Sequence, residues 1–266
     1  MPAPRVLILR APGINRDRDA ALACQLAGGA PERLHINRLA AGAVRLADYA
    51  MLVIPGGFSY GDHLGAGKLL AVDLIHRLGE PLHRFIADGR PVIGICNGFQ
   101  VLVKAGVLPG LPPTSSEPAS APRVTLTENE SARFECRWVR LAPAAGSRCR
   151  FLEGVERPIE TPVAHGEGRL VVDAPATLET LRAQGLVALR YVGEDGAPAS
   201  YPANPNGSLD AIAGICNPQG NVLGLMPHPE NAVLPHQHPR WSREPRRAEG
   251  DGLIIFRNAV RYAAAL

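Results

Sequence analysis

Short apolar runs, bounded by Gly, Pro or polar residues, recur through the first half of the chain at positions 6–9, 51–54 and 91–95. A fourth run at 34–37 alternates apolar and polar residues. Their length and β-branched content predict strands. Between them, apolar positions return at helical spacing over 16–26 and over roughly 64–78, and 81–87 would extend the second helix past Pro81. Strand and helix signals that alternate in this way predict an α/β fold, with a parallel sheet flanked by helices. Sites in open sheets of this kind lie beyond the carboxyl ends of the strands. Two of those ends carry unusual turns, Pro55-Gly56-Gly57 and Gly94-Ile95-Cys96-Asn97-Gly98-Phe99-Gln100.

The pattern changes after position 108. Residues 108–122 are rich in Pro and Ser and predict a loop. Strands are predicted at 123–127, 135–139, 161–165, 170–172 and 187–191. A final pair, 211–216 and 222–226, is joined by Asn217-Pro218-Gln219-Gly220-Asn221, a turn-forming sequence. Residues 231–250 hold several Pro, His and Arg and predict a loop, and 251–264 predict a closing helix. There is no internal repeat. The expected architecture is one domain over residues 1–266, with a mostly parallel sheet and added antiparallel strands.

The second of the unusual turns places Cys96 where a strand ends and a helix begins. Gly94 and Gly98, two residues to either side, permit the sharp bend of a nucleophile elbow. Such a bend lifts the sulfur above the sheet edge. It also sets the thiol at a helix N-terminus, which favours the thiolate. The backbone N–H of Asn97 is left beside it to receive an oxyanion. Taken alone, the motif is equally a buried structural Cys in a Gly-bounded turn.

A second stretch, Met226-Pro227-His228-Pro229-Glu230, follows an apolar run. The prolines are expected to hold the backbone extended, so that His228 and Glu230 point the same way. A carboxylate beside an imidazole fixes its tautomer and raises its basicity, and such a base can take a proton from a thiol. An isolated His-x-Glu is more often an ordinary loop feature. The Cys elbow in the same chain changes that balance.

Composition narrows the class further. Apolar residues make up 46% and charged residues 20%, with a net charge of +3. The basic cluster at 243–247 is interrupted by Glu244 and Pro245, so neither a nucleic-acid footprint nor a nucleic-acid partner is expected. The N-terminus runs directly into a strand, with no visible signal peptide or membrane span, so no membrane association is expected. Five cysteines without a C-x-x-C pair predict neither a disulfide framework nor a metal site, and they fit a cytoplasmic protein. There is no Gly-x-x-x-x-Gly-Lys-Ser/Thr loop.

With Gly94-x-Cys96-x-Gly98-x-Gln100 and the distant His228-Pro229-Glu230, the chain resembles the class I glutamine amidotransferases, whose domain is flavodoxin-like. The closer resemblance is to the glutaminase subunits of phosphoribosylformylglycinamidine synthase in purine biosynthesis. It rests on Pro12-Gly13-x-Asn15, Gly56-Gly57-Phe58-Ser59-Tyr60-Gly61-Asp62, Asn129-x-Ser131-x-Arg133-Phe134, His165-Gly166-Glu167-Gly168 and Asn204-Pro205-Asn206-Gly207-Ser208, together with the Cys96 and His228 stretches. These motifs span nearly the whole chain in order. The resemblance implies a Cys96–His228–Glu230 triad that hydrolyses glutamine through a thioester. It implies an oxyanion site at the N–H groups of Asn97 and Gly57, with Gly56 clearing space beside it. Gln100 and His165 would be glutamine contacts. It further implies a large synthetase partner that carries ATP and magnesium, and a small accessory subunit, with no cofactor in this chain. Two other readings remain at this point, an amidotransferase for a different acceptor and a non-catalytic protein with a redox-sensing Cys.

Overall fold

Four strands of the parallel region have apolar cores sealed on both faces, as the near-continuous apolar runs require. The computed structural model describes residues 2–112, 122–244 and 247–266. In chain order the main elements are β1 (Arg5–Arg10), α1 (Asp17–Leu26), β2 (Ala30–His35), α2 (Ile36–Ala40), β3 (Met51–Ile54), α3 (Lys68–Ala87), β4 (Val92–Ile95) and α4 (Asn97–Lys104). They continue as β5 (Val124–Thr127), β6 (Glu135–Pro143), β7 (Ile159–His165), β8 (Arg169–Val172), α5 (Pro175–Ala183), β9 (Val187–Val192), β10 (Ile212–Cys216), β11 (Val222–Leu225) and α6 (Leu253–Ala264).

One nine-stranded sheet has the order β2-β1-β3-β4-β11-β10-β9-β6-β7. The first five strands of that order are parallel, and the last four run antiparallel to their neighbours. β5 and β8 form a separate antiparallel pair. The chain leaves β1 toward β2 in one direction and β3 toward β4 in the other. Right-handed crossovers then place α1 and α3 on opposite faces of the sheet. α1 packs against α6, and α3 against α4.

Most predicted elements are present; the second strand and one helix differ. The second strand covers 30–35 rather than 34–37, and Ile36 begins a short helix whose first turn is capped by the His35 ring, which accepts from the Asn37 N–H. β2 is an edge strand paired only with β1, so its polar Pro31-Glu32-Arg33 segment needs no apolar run. α3 is continuous through Pro81, so 81–87 extends the second helix as expected. α5 has no counterpart among the predicted elements, because it buries only Thr177 and Leu181 and so lacks an apolar stripe. The predicted loop is tied down over 231–244, where the sequence allows either an ordered or a mobile segment. The Glu160 carboxylate accepts from Arg240 and Arg247 and pairs with His238 at 2.6 Å. Of the predicted loop at 108–122, positions 113–121 lie outside the described residues.

Candidate active site

Three segments leave the sheet at one level. Register pairs Ile54 of β3 with Gly94 of β4, and Leu225 of β11 with Ile95 of β4. The Gly56-Gly57 turn, Cys96 and the His228–Glu230 segment therefore meet at the carboxyl edge of three adjacent parallel strands.

Cys96 links β4 to α4 with φ +51° and ψ −107°, a strained conformation for a residue with a side chain. Its flanking glycines make that bend fit. A Cβ on Gly98 would lie 1.9 Å from the Ile54 carbonyl oxygen, and one on Gly94 would lie 2.5 Å from the Gly98 carbonyl oxygen. The helix following Cys96 presents its Asn97 N–H, which has no partner among the described residues.

The imidazole of His228 stands beside this thiol. Its Nδ1 lies 2.7 Å from Glu230 Oε1, and its ring and the Cys96 side chain both border Gly56. The prolines do not achieve this by an extended backbone. Pro229–Asn231 is a single 3-10 turn, and the tight turn brings the carboxylate of Glu230 back to the ring two residues earlier. The His228 N–H donates to the Pro162 carbonyl at 2.8 Å, fixing the segment to β7. Gly56 is what admits the ring: a Cβ there would lie 2.9 Å from His228 Cε1 and 3.5 Å from the Cys96 Cβ.

Burial alone would push the His228 pKa down. The charges of Glu230 and Cys96, and hydrogen bonds to both, outweigh it and lift the value from 6.5 to about 10. The ring is therefore held as imidazolium at neutral pH. Because the folded value lies above the unfolded one, the stabilisation is complete below pH 6.5 and is lost as pH rises toward about 10. Denaturant melts should show the stability advantage of the wild type over His228→Gln shrinking across that window. An advantage that grows with pH would contradict the assignment.

The second turn is pinned in place by the loop after β1. Gly57 has φ +145°, and a Cβ on it would lie 2.6 Å from the Gly13 carbonyl oxygen. Phe58 N–H donates to Gly13 O at 2.9 Å, and the N–H groups of Asn15 and Arg16 donate to Gly56 O at 3.4 and 3.3 Å. The Gly57 N–H itself has no partner among the described residues.

Asn97 and Gln100 form a buried amide relay. Asn97 Nδ2 donates to Gln100 Oε1 at 3.0 Å and to Asp62 Oδ1 at 2.9 Å, while Asn97 Oδ1 accepts from the Ser59 N–H at 3.1 Å. Gln100 Nε2 donates to the Glu167 carbonyl. His165 ends β7, next to Ala164, whose carbonyl accepts the Cys96 thiol at 3.7 Å. Asn129 Oδ1 accepts from the Gly168 N–H at 3.0 Å and faces His165 Nδ1 at 3.1 Å, so Nδ1 carries the proton. His165 Nε2 is then a buried acceptor without a partner among the described residues. Burial, and then the charge of His228, push its pKa down to about 3, so His165 is neutral near pH 7.

Asn129 and Asn206 belong to stretches that carry the resemblance but suggest no role for either side chain, and nothing in the sequence marks Tyr191. Asn206 Nδ2 donates to the Gly168 carbonyl at 2.9 Å and to the Tyr191 hydroxyl at 3.2 Å. Asn129 and Asn206 lie in stretches that read equally well as turns. Among the described residues, no group of three or more His, Cys, Asp or Glu side chains is placed to hold a metal ion. No helix is long and apolar enough to cross a membrane among those residues.

Comparison with known proteins places the chain further. A profile of the CobB/CobQ-like glutamine amidotransferase domain matches residues 3–263. The phosphoribosylformylglycinamidine synthase subunit PurQ of Treponema denticola is 51% identical over 269 residues, covering 97% of this chain and 98% of that protein. Its counterpart in Dehalococcoides mccartyi is 48% identical, covering 97% of each chain. A chain in the structure of PurLQS from Thermotoga maritima superimposes with a TM-score of 0.72 at 32% identity, over 98% of this chain and 99% of that one.

Proposed function

The chain belongs to the CobB/CobQ-like glutamine amidotransferase family and, within it, to the PurQ subunits of phosphoribosylformylglycinamidine synthase, and we propose that it hydrolyses glutamine at Cys96 and passes the ammonia to a synthetase partner. One observation carries this reading: the His228 ring, with Nδ1 2.7 Å from Glu230 Oε1, meets the Cys96 side chain of the elbow across Gly56.

The residues suggest the following sequence of steps. The Cys96 thiolate, its proton held by His228, attacks the side-chain carbonyl carbon of glutamine. The negative oxygen is received by the N–H groups of Asn97 and Gly57, neither of which has another partner among the described residues. His228 then protonates the departing nitrogen, and ammonia leaves a γ-glutamyl thioester on Cys96. Water enters, gives a proton to His228 and displaces the sulfur, so that glutamine and water become glutamate and ammonia. Glu230 keeps the ring oriented and stabilises its charge. In this reading Gly56 clears room for the ring, Gln100 acts through Glu167, and the lone Nε2 of His165 is an acceptor on the substrate side.

The acceptor chemistry is assigned to partners. The relatives are named as one subunit of a synthase, and the Thermotoga assembly is named PurLQS, so the L and S components are the partners proposed here. Following the family resemblance, we assign ATP and magnesium to the large subunit; this chain carries no Gly-x-x-x-x-Gly-Lys-Ser/Thr loop. A cytoplasmic setting, where the thiol stays reduced, suits this chemistry.

In the chain by itself, Cys96 is only 5% exposed and His228 3%. Glutamine therefore needs an opening that the partner can supply. Glutamate release should be slow for the lone chain, unchanged with empty partner, and raised at least about tenfold, or 1.4 kcal/mol in barrier, with partner, acceptor and nucleotide present. Equal rates in all three would remove the case for partner control, and no glutamate release in any of them would remove the proposed reaction.

A further inference from the structure

The loop between β3 and α3 returns repeatedly to positive φ. Gly57, Tyr60, Gly61, Asp62, Leu64, Gly65 and Gly67 all have positive φ, and three of these carry side chains: Tyr60 at +54°, Asp62 at +53° and Leu64 at +63°. A conformation of this kind persists only where its surroundings impose it. The Pro12 and Gly13 carbonyls hold the loop's first part, accepting from Tyr60 and Phe58, and the side chain of Asn97, the residue that follows Cys96, ties that part to the rest. Its Oδ1 accepts from the Ser59 N–H, two residues beyond Gly57, and its Nδ2 donates to Asp62 Oδ1, which also accepts from the Gly67 N–H at 3.3 Å. Asn97 is 1% exposed, and its second amide hydrogen is taken by Gln100. No other orientation of the amide satisfies these partners.

We propose that the Asn97 carboxamide is a positioning group that sets the distance between the two oxyanion donors, so that turnover depends on the conformation of the 57–67 loop. This rests on the reading of Cys96 as nucleophile. The backbone of Asn97 supplies one donor. Its side chain anchors the loop that supplies the other, at Gly57. Without the carboxamide, the buried Ser59 N–H loses its partner and the half-buried Asp62 carboxylate keeps only the Gly67 N–H. The 59–67 segment then relaxes toward ordinary backbone, and the Gly57 N–H at its start is held only from the side of the Gly13 loop.

The test uses the assembled enzyme. Asn97→Ala should lower kcat on the order of 10²-fold, the loss expected for one oxyanion donor, with KM nearly constant. Alkylation of Cys96 by iodoacetamide, a displacement with no oxyanion, should stay within about threefold, well under one kcal/mol. Affinity for glutamate γ-semialdehyde, whose adduct with the thiol does bear an oxyanion, should fall in parallel with kcat. Asp62→Ala, which takes away an acceptor of the carboxamide outside the elbow, should also lower kcat. Putting Asp62→Asn there instead, which keeps an acceptor oxygen for Asn97 Nδ2 and the Gly67 N–H, should restore about tenfold. This pair keeps the test open should Asn97→Ala not fold. Parallel loss of alkylation and turnover, unchanged turnover, or no recovery with Asp62→Asn would each overturn the proposal. Failure of the underlying reading looks different: glutamate release by the wild type would then survive complete alkylation of Cys96.

Discussion

In the assembled enzyme, Cys96→Ala is expected to lower glutamine-dependent product formation by at least about a thousandfold, roughly 4 kcal/mol in barrier. Synthesis driven by ammonium salts should be unchanged. On the proposed mechanism Sγ is the atom that forms the thioester, and its removal leaves no neighbouring group to replace it. The substituted alanine would still have to adopt the φ of +51° that Cys96 tolerates, and the flanking glycines that permit the bend are untouched. The variant should therefore fold and dock. Ammonia supplied from solution bypasses this chain and reaches the acceptor on the partner. Equal loss with both nitrogen sources would contradict the division of labour between subunits.

The second large effect concerns the base. His228→Ala should cost about 10²–10⁴ in glutaminase rate, the range for acid–base work, and Glu230→Gln should cost less. The alanine variant has no group to hold the thiol proton or to protonate the leaving nitrogen. The glutamine variant keeps an oxygen that can accept from His228 Nδ1, at the position where Oε1 now lies 2.7 Å away. What it loses is the charge that lifts the ring to about 10. The His228 pKa should accordingly fall in Glu230→Gln, toward the direction in which burial pushes it. Steady-state rates of both variants decide the order. A glutamine variant more damaged than the alanine variant would mean that the roles are reversed.

These effects trace to features of unequal legibility in the sequence. The parallel strands are readable because β3, β4 and β11 are sealed on both faces, which demands apolar runs. The elbow is legible because its geometry is local: Gly94 and Gly98 stand where close approach leaves no room for a Cβ. The pairing of His228 with Glu230 is legible as spacing, although the backbone that achieves it is a 3-10 turn rather than an extended segment. β2 escapes a pattern-based placement because an edge strand tolerates the polar Glu32 and Arg33.

The bracing of the site is illegible for a different reason. Gln100 meets Glu167 across 67 positions, Cys96 meets Ala164 across 68, and His165 meets Asn129 across 36. No local spacing encodes such contacts. Asn97 illustrates the limit. Its backbone donor follows from its place after the nucleophile, but the use of its carboxamide depends on a loop 35 to 38 positions upstream.

The most direct test of the central claim is to quench the assembled enzyme with acid during turnover of labelled glutamine, digest it, and map the label by mass spectrometry. One γ-glutamyl group on Cys96, released by hydroxylamine as a thioester should be, is the predicted result. Label on Cys24, Cys136, Cys149 or Cys216 instead, or glutamate release that continues after Cys96 has been fully alkylated, would contradict it.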